Sequence, residues 1–271
     1  MTQLPPGTYY GDTTRRMAAG GLVISQVAYQ PSEVDWHYHE NAFFSFVLDG
    51  ELTEHTPKGK YHCPAGTLLF QNWDEKHYNA GVKAHTSFYV ELQKDWFEKN
   101  TLDTQIFNGH TQLSHPTTKI LFHQLYRETI MDSPQNGLAI DELLVRIFDQ
   151  LVPVKQKRYA ATPGWIAALT EMLHELPENR LTLESLSVQL GIHPVHLCRY
   201  FTKHFHCTLG EYLRQLRVER SLNLLRNSRL SLTEIAYRCG FADQSHFNRC
   251  FKTANRMTPF QYREQLQNGK A

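Results

Sequence analysis

"SLTEIAYRCGFADQSHFNRCFK", from Ser231 to Lys252, starts with an apolar rhythm of helical period. The rhythm breaks at Gly240-Phe241 and resumes with Gln244, His246, Asn248 and Arg249 set among Phe247, Cys250 and Phe251. A glycine in a helix interior costs about 1 kcal/mol relative to alanine, so one continuous buried helix is a poor reading. Two short helices with the glycine in the turn between them fit better. In the second, Phe247, Cys250 and Phe251 are spaced to share one buried face. Gln244, Asn248, Arg249 and Lys252 fall opposite, with no carboxylate after Asp243, which stands near the helix start where negative charge suits the dipole.

The same layout occurs upstream. Leu186-Ser187, Leu190-Gly191-Ile192 and Phe201 parallel Ile235-Ala236, Cys239-Gly240-Phe241 and Phe251, at an offset of 49 residues up to the glycine and 50 at the phenylalanine. Here Leu197, Phe201 and Phe205 predict the core face, and Val195, His196, Cys198, Arg199, Thr202 and Lys203 the other side. One such polar face is what any solvated helix shows. Two copies with Arg199 and Arg249 in matching places instead predict a pair of helix-turn-helix units on double-stranded DNA, since arginine pairs bidentately with guanine N7 and O6. Between the copies, "TLGEYLRQLRVERSLNLLRNS" predicts a long helix with Leu213, Leu216 and Leu224 along one side. It would act as a rigid spacer, holding the reading helices about 34 Å apart for successive major-groove segments.

Charge divides the chain in the same sense. Residues 163–271 carry 14 Lys+Arg against 9 Asp+Glu, whereas residues 1–162 carry 14 against 18. A basic C-terminal part in a nearly neutral protein suggests nucleic-acid affinity there alone. No apolar run reaches the 18 or so residues of a membrane span, and "MTQLPPGTYYGDTTRRMAAGG" lacks the order of a signal peptide. Five cysteines, an odd number with no CxxC pair, argue against a disulfide framework or structural zinc; Cys250 reads as a small buried hydrophobe. A cytoplasmic protein without membrane partners is expected.

The first hundred residues read differently. Short β-branched or alternating runs (Gly21–Tyr29, Phe43–His55, Lys60–Gln71, His85–Leu92) are punctuated by turn residues, which predicts an antiparallel sandwich or barrel. From Thr117 two helical stripes follow. The second, with Ile140, Leu143, Leu144, Ile147, Phe148 and Leu151, is wide enough to cap the sheet, to form a dimer seam, or both. "KQKRYAATPG" then reads as a linker. The expected organisation is residues 1–155, a linker over 156–164, and a helical domain over 165–271.

Residues Leu181–Arg263 resemble the signature of the AraC/XylS family of bacterial transcription regulators. Ile235-Ala236, Gly240-Phe241, Ser245-His246-Phe247, Arg249, Phe251-Lys252, Thr258-Pro259 and Tyr262-Arg263 all stand in family register. The resemblance implies two helix-turn-helix units in one monomer, a preceding cupin-like (jelly-roll) ligand domain with appended helices, a homodimer, and RNA polymerase as a partner. The chain departs from the family at His206 and Arg256, where glycines are usual after the reading helices, at Leu209, where a proline is, and at Asn255, where an aromatic is.

"WHYHENAFF", then "CPAGTLLFQNWDEKHYN", looks like the paired motifs of the cupin fold. His37 and His39, two apart on a strand, share a face, and His77 stands where a third histidine would. Three imidazoles can hold Zn²⁺ or Fe²⁺. The glutamate of enzyme-type cupins falls instead near Phe43-Phe44, which favours an apolar pocket with the histidines as hydrogen-bond donors, no resident cofactor and no catalysis. Trp36, His37, His39, Phe44, Phe46 and His77 are the candidate pocket residues for a small-molecule effector. His55, His62 and His85 read as ordinary surface or strand histidines. The competing expectation is a metal-dependent cupin enzyme or metal sensor joined to a DNA-binding domain.

Overall fold

A computed structural model describes residues 1–30, 32–102, 109–131, 136–156, 164–175, 183–205, 207–227 and 229–268. The chain divides into two compact units, Met1–Val152 and Pro153–Ala271. Residues 157–163 of the expected linker lie outside the described residues.

The first unit is built on runs whose side chains alternate between two environments. Its strands are β1 (Thr2–Leu4), β2 (Asp12–Ala19), β3 (Leu22–Tyr29), β4 (Ser32–His39), β5 (Ala42–Asp49) and β6 (Glu51–Thr56). Then come β7 (Gly59–Pro64), β8 (Leu68–Gln71), β9 (His77–Val82), β10 (His85–Leu92) and, after helix α1 (Lys94–Lys99), β11 (His110–Gln112). They form a five-stranded sheet in the order β1-β4-β9-β6-β7 and a six-stranded sheet in the order β11-β8-β5-β10-β3-β2. All described pairings are antiparallel except β1 with β4.

Strand β5 shows why the architecture has a third layer. Residues from Ala42 to Leu48 are all buried, although successive side chains point to opposite faces. Val47 packs with Leu52, Cys63 and Leu69 from β6, β7 and β8, so this face meets the five-stranded sheet. The Phe44 ring lies 4.9 Å from Phe122 and 5.6 Å from Phe148, on helices α2 (Pro116–Ile130) and α3 (Asn136–Gln156). The apolar stripe of α3 is thus buried within the unit, against the outer face of the six-stranded sheet, with Ile140, Leu144, Ile147 and Phe148 at most 1% exposed. It caps the sheet.

The second unit is helical: α4 (Trp165–Glu175), α5 (Leu183–Leu190), α6 (Pro194–Phe205), α7 (Leu209–Asn227), α8 (Leu232–Arg238), α9 (Gln244–Asn255) and α10 (Pro259–Asn268). Leu169 and Leu173 of α4 join Leu186, Leu197, Phe201, Leu209 and Tyr212 in one core. Helix α7 departs from the expected one-sided spacer. Of Leu213, Leu216 and Leu224, only Leu216 is fully buried, whereas Tyr212, Val218, Leu222 and Leu225 are buried as well. The reason is that α7 packs against α6 and also against α8, α9 and α10, so it must bury more than one side.

Candidate nucleic-acid interface and effector pocket

Each helical repeat turns by the same local device. Helix α8 ends with Phe241 N–H donating to the Ala236 carbonyl (2.9 Å) and Gly240 N–H to that of Tyr237 (3.0 Å). Helix α5 ends with Ile192 N–H on Ser187 (3.0 Å) and Gly191 N–H on Val188 (3.2 Å). Both are Schellman closures, which need a left-handed residue after the cap. Gly191 (φ 64°) and Gly240 (φ 79°) supply it. The break in the opening stretch is therefore a helix stop, and it redirects the chain into the second helix.

That second helix presents the predicted faces. In α6, Leu197 and Phe201 are wholly buried, while Val195, His196, Cys198, Arg199, Thr202 and Lys203 are exposed. In α9, Phe247 and Phe251 are buried and Arg249 and Lys252 are exposed. Gln244, His246 and Asn248 are half-buried, and Gln244 Oε1 accepts a hydrogen bond from the Thr233 hydroxyl (2.6 Å). Cys250 is half-buried rather than buried, because it sits at the edge of the face centred on Phe247 and Phe251.

Helix α9 keeps its stop despite the missing glycine. Arg256 adopts the left-handed conformation itself (φ 59°, ψ 14°), and its N–H reaches the Lys252 carbonyl at 2.8 Å. The equivalent His206 lies outside the described residues. The repeat also runs on further than the two-helix pattern suggested. Thr208 and Glu211 form a reciprocal cap at the start of α7, and Thr258 and Gln261 form the same cap at α10. Buried Tyr212 and Tyr262 follow each cap by the same step.

In the first unit, a cavity opens between the two sheets, with empty space of about 340 Å³ including its mouth. Its wall includes His37, His39, His77, Glu54, Gln71 and Asn79, with Tyr9, Tyr29 and Tyr89 completing a largely polar lining. His37 and His39 do share a face of β4, and β9 brings His77 beside them, directly opposite His37 in register. The other three candidates lie elsewhere. Phe44 and Phe46 face α2 and α3, because the pleat that points Phe43 into the cavity points its neighbour away. Trp36 alternates with His37 and His39 on the opposite face of β4, where it meets Tyr78 (4.7 Å).

The expectation of an apolar pocket with donor histidines is thus corrected. His37 Nδ1 lies 2.8 Å from the Asp35 carbonyl and His77 Nδ1 3.1 Å from that of Glu75. A carbonyl only accepts, so Nδ1 carries a proton in both rings, which leaves Nε2 as the nitrogen either can offer a ligand. Burial, with the neighbouring His77 adding to it, holds His37 down to about 4 and His39 to about 2, so both are neutral at pH 7. Glu54, also buried, would be pushed up by that burial. His110, whose Nδ1 is 3.0 Å from its Oε1, and the nearby His77 and His37 outweigh this and keep the carboxyl below its usual range. Gln71 Nε2 donates to the same oxygen at 2.8 Å.

Glu54 and Gln71 escaped the sequence reading. The signal was present in β6, where Glu54 takes the same face as buried Leu52, a core position filled by a carboxylate. Glu91 escaped it too. It is wholly buried and accepts from Gly7 N–H (2.7 Å), Tyr9 O–H (2.5 Å) and Asn41 Nδ2 (3.2 Å), fixing the N-terminal segment that brings Tyr9 to the cavity wall. Burial raises its pKa.

Two domain families match this chain in the same order as its two units. Residues 20–148 match an AraC-like ligand binding domain, and residues 186–265 a helix-turn-helix domain. The Msm operon regulatory protein of Streptococcus mutans is 28% identical over 244 residues, 84% of this chain and 86% of that protein. The HTH-type transcriptional regulator YijO of Escherichia coli K12, itself uncharacterized, is 33% identical over 231 residues, 81% of this chain and 80% of that one. The chain belongs to the AraC/XylS family. The HTH-type transcriptional activator RhaS of Salmonella schwarzengrund shares 34% identity over 101 residues, about a third of each chain (36%). This AraC/XylS protein is a DNA-binding transcriptional regulator and not an enzyme. Among its described residues no helix is long and apolar enough to cross a membrane.

Proposed function

We propose that this regulator reads a specific operator with the exposed faces of α6 and α9, and that a small-molecule effector held between the two sheets of the first unit controls it. The observation that carries the reading is the repeated geometry. Two helices of 12 residues, each behind the same glycine stop, expose an arginine at the same step, Arg199 and Arg249. The surplus of basic residues in this unit supports the phosphate contacts that position such a reader.

An effector acts only through differential affinity for two arrangements of the protein. The polar, histidine-lined cavity in the domain matched to ligand binding supports a site for such a molecule. Exposed Met131 and Leu138, beside the ends of α2 and α3, support pairing of two copies through the first unit. RNA polymerase is the partner such a DNA-bound dimer would meet at a promoter.

The test is enrichment of binding sites from random duplex DNA with the full-length protein, followed by Arg199→Ala and Arg249→Ala on the enriched site. Each is expected to lose about 1–3 kcal/mol of specific affinity, with relaxed preference at one base pair. Unchanged affinity and preference in both variants would remove the assignment of these faces. Sedimentation of the same samples reads the dimer. A thermal-shift screen with sugars, aromatic acids and fatty acids reads the effector, since a ligand at a hundred times its Kd adds about 2.7 kcal/mol.

A further inference from the structure

We infer that the His37–His39–His77 cluster is a binding site for a divalent first-row transition-metal ion. Each of the three buried rings brings one nitrogen to within 4.8 Å of the other two. The backbone contacts described above hold a proton on Nδ1 of His37 and of His77, so Nε2 is the atom each ring can offer a metal. Metal-bound histidines characteristically give their other ring N–H to a carbonyl or carboxylate, which is what Asp35 and Glu75 provide here. His39 adds a different indication. It is 4% exposed, and its Nδ1 is buried with no hydrogen-bond partner among the described residues. An orphaned polar atom on a ring of this cluster is unfavourable and points to a ligand that the described residues do not supply.

The donor set selects the ion. Three neutral imidazoles suit Zn²⁺, Co²⁺, Ni²⁺ or Cu²⁺ and are poor ligands for Mg²⁺ and Ca²⁺, which take oxygen. A bound ion at about 2.0–2.1 Å from each nitrogen needs them roughly 3.3 Å apart. Any pair of these nitrogens farther apart than that closes by rotation of the rings on loading. Buried Glu54 on the same wall supplies a negative charge that the neutral ligands lack. Among the described residues the cluster supplies three protein ligands, so the ion keeps an open position for an exogenous oxygen or nitrogen donor. The inference concerns the same cavity as the effector reading but does not depend on it.

The test uses the full-length protein, stripped with a chelator and titrated with Co²⁺ and Zn²⁺, with DNA binding followed in parallel. One equivalent of Co²⁺ is expected to bind and give visible d–d bands, displaced by Zn²⁺. His39→Gln and His77→Gln should each weaken binding at least tenfold, while His85→Gln, a buried histidine outside the cluster, should leave it unchanged. Circular dichroism checks that all three variants fold. Should a variant fail to fold, a metal-dependent shift of the His77 ring signals in the unsubstituted protein, against none for His85, reads the same site. Absence of stoichiometric Co²⁺ binding, or binding equal in the cluster variants and the unsubstituted protein, overturns the site. Metal that binds as expected while DNA affinity and thermal screens show no response to any ligand would leave the site standing and remove the effector reading.

Discussion

The two helix-turn-helix units solve one packing problem with different turns. Each stops its first helix with a left-handed glycine and buries the same positions of its second. Between the glycine and the reading helix, however, the first unit has two residues, Ile192 and His193, and the second has three, Phe241, Ala242 and Asp243. That one residue is the change in offset from 49 to 50. It also changes the cap. Asp243 accepts from His246 N–H at 2.7 Å, whereas the first unit relies on His193 Nδ1, 3.3 Å from Val195 N–H, and on Pro194, whose ring is preset for a first helical position. The comparison teaches that the core faces fix the register while the turn is free to vary, so a reading helix can be anchored well or loosely without moving its buried side.

The largest effect tests whether the two units are separate at all. Phe201 and Phe247 are both wholly buried, the first beside Phe205 and Tyr212, the second beside Phe241 and Phe251. Phe201→Ala and Phe247→Ala should each cost about 3–5 kcal/mol. Because α7 packs against helices of both units, either variant should lower hydrogen-exchange protection in α6 and α9 together. Loss confined to the substituted unit would show that the copies fold independently and that α7 is only a connection.

How much of this was legible follows the same division between pattern and partner. The repeat, its core phenylalanines and the basic faces were readable, because helical period and the glycine break are local properties of the chain. One apolar run, His85–Leu92, was readable to the residue, whereas Phe43–His55 and Lys60–Gln71 each divide into two strands at a turn. Strand β2, DTTRRMAA, was not, since it lies at a sheet edge and is almost wholly exposed, so burial left no alternation to read. Phe44 and Phe46 were misplaced for the converse reason. A strand buried on both faces has no polar side to say which residues look inward. The histidine trio was visible through its spacing, but the Glu54–Gln71 pair opposite depends on which strands become neighbours in space.

The turn glycines offer a finer contrast. A Cβ on Gly191 would meet nothing within 4 Å, whereas one on Gly240 would lie 3.4 Å from Arg217 Nε. Alanine must still adopt the left-handed conformation in either place, at a cost of about 1–2 kcal/mol. Gly191→Ala should therefore fall at the low end of that range by urea denaturation. Gly240→Ala should exceed it slightly, because a methyl in contact with Arg217 restricts that long side chain. Equal costs would mean that the Arg217 side chain moves freely and that conformation alone decides.

The smallest effect is the most specific to the inserted residue. Replacing an aspartate cap by alanine typically costs about 1 kcal/mol, so Asp243→Ala should destabilise the second unit by that amount and fray the start of α9. His193→Ala removes a longer contact from a helix whose proline already fixes the first turn, and should cost less than about 0.5 kcal/mol. Amide exchange at Val195 and His246, the two N–H groups concerned, reads the difference directly. If His246 loses protection in Asp243→Ala while Val195 is unmoved in His193→Ala, the extra turn residue is what anchors the second reading helix. If both respond alike, the histidine is as good a cap as the aspartate, and the longer turn must be explained by the packing of Phe241 against Phe247 (5.0 Å) instead.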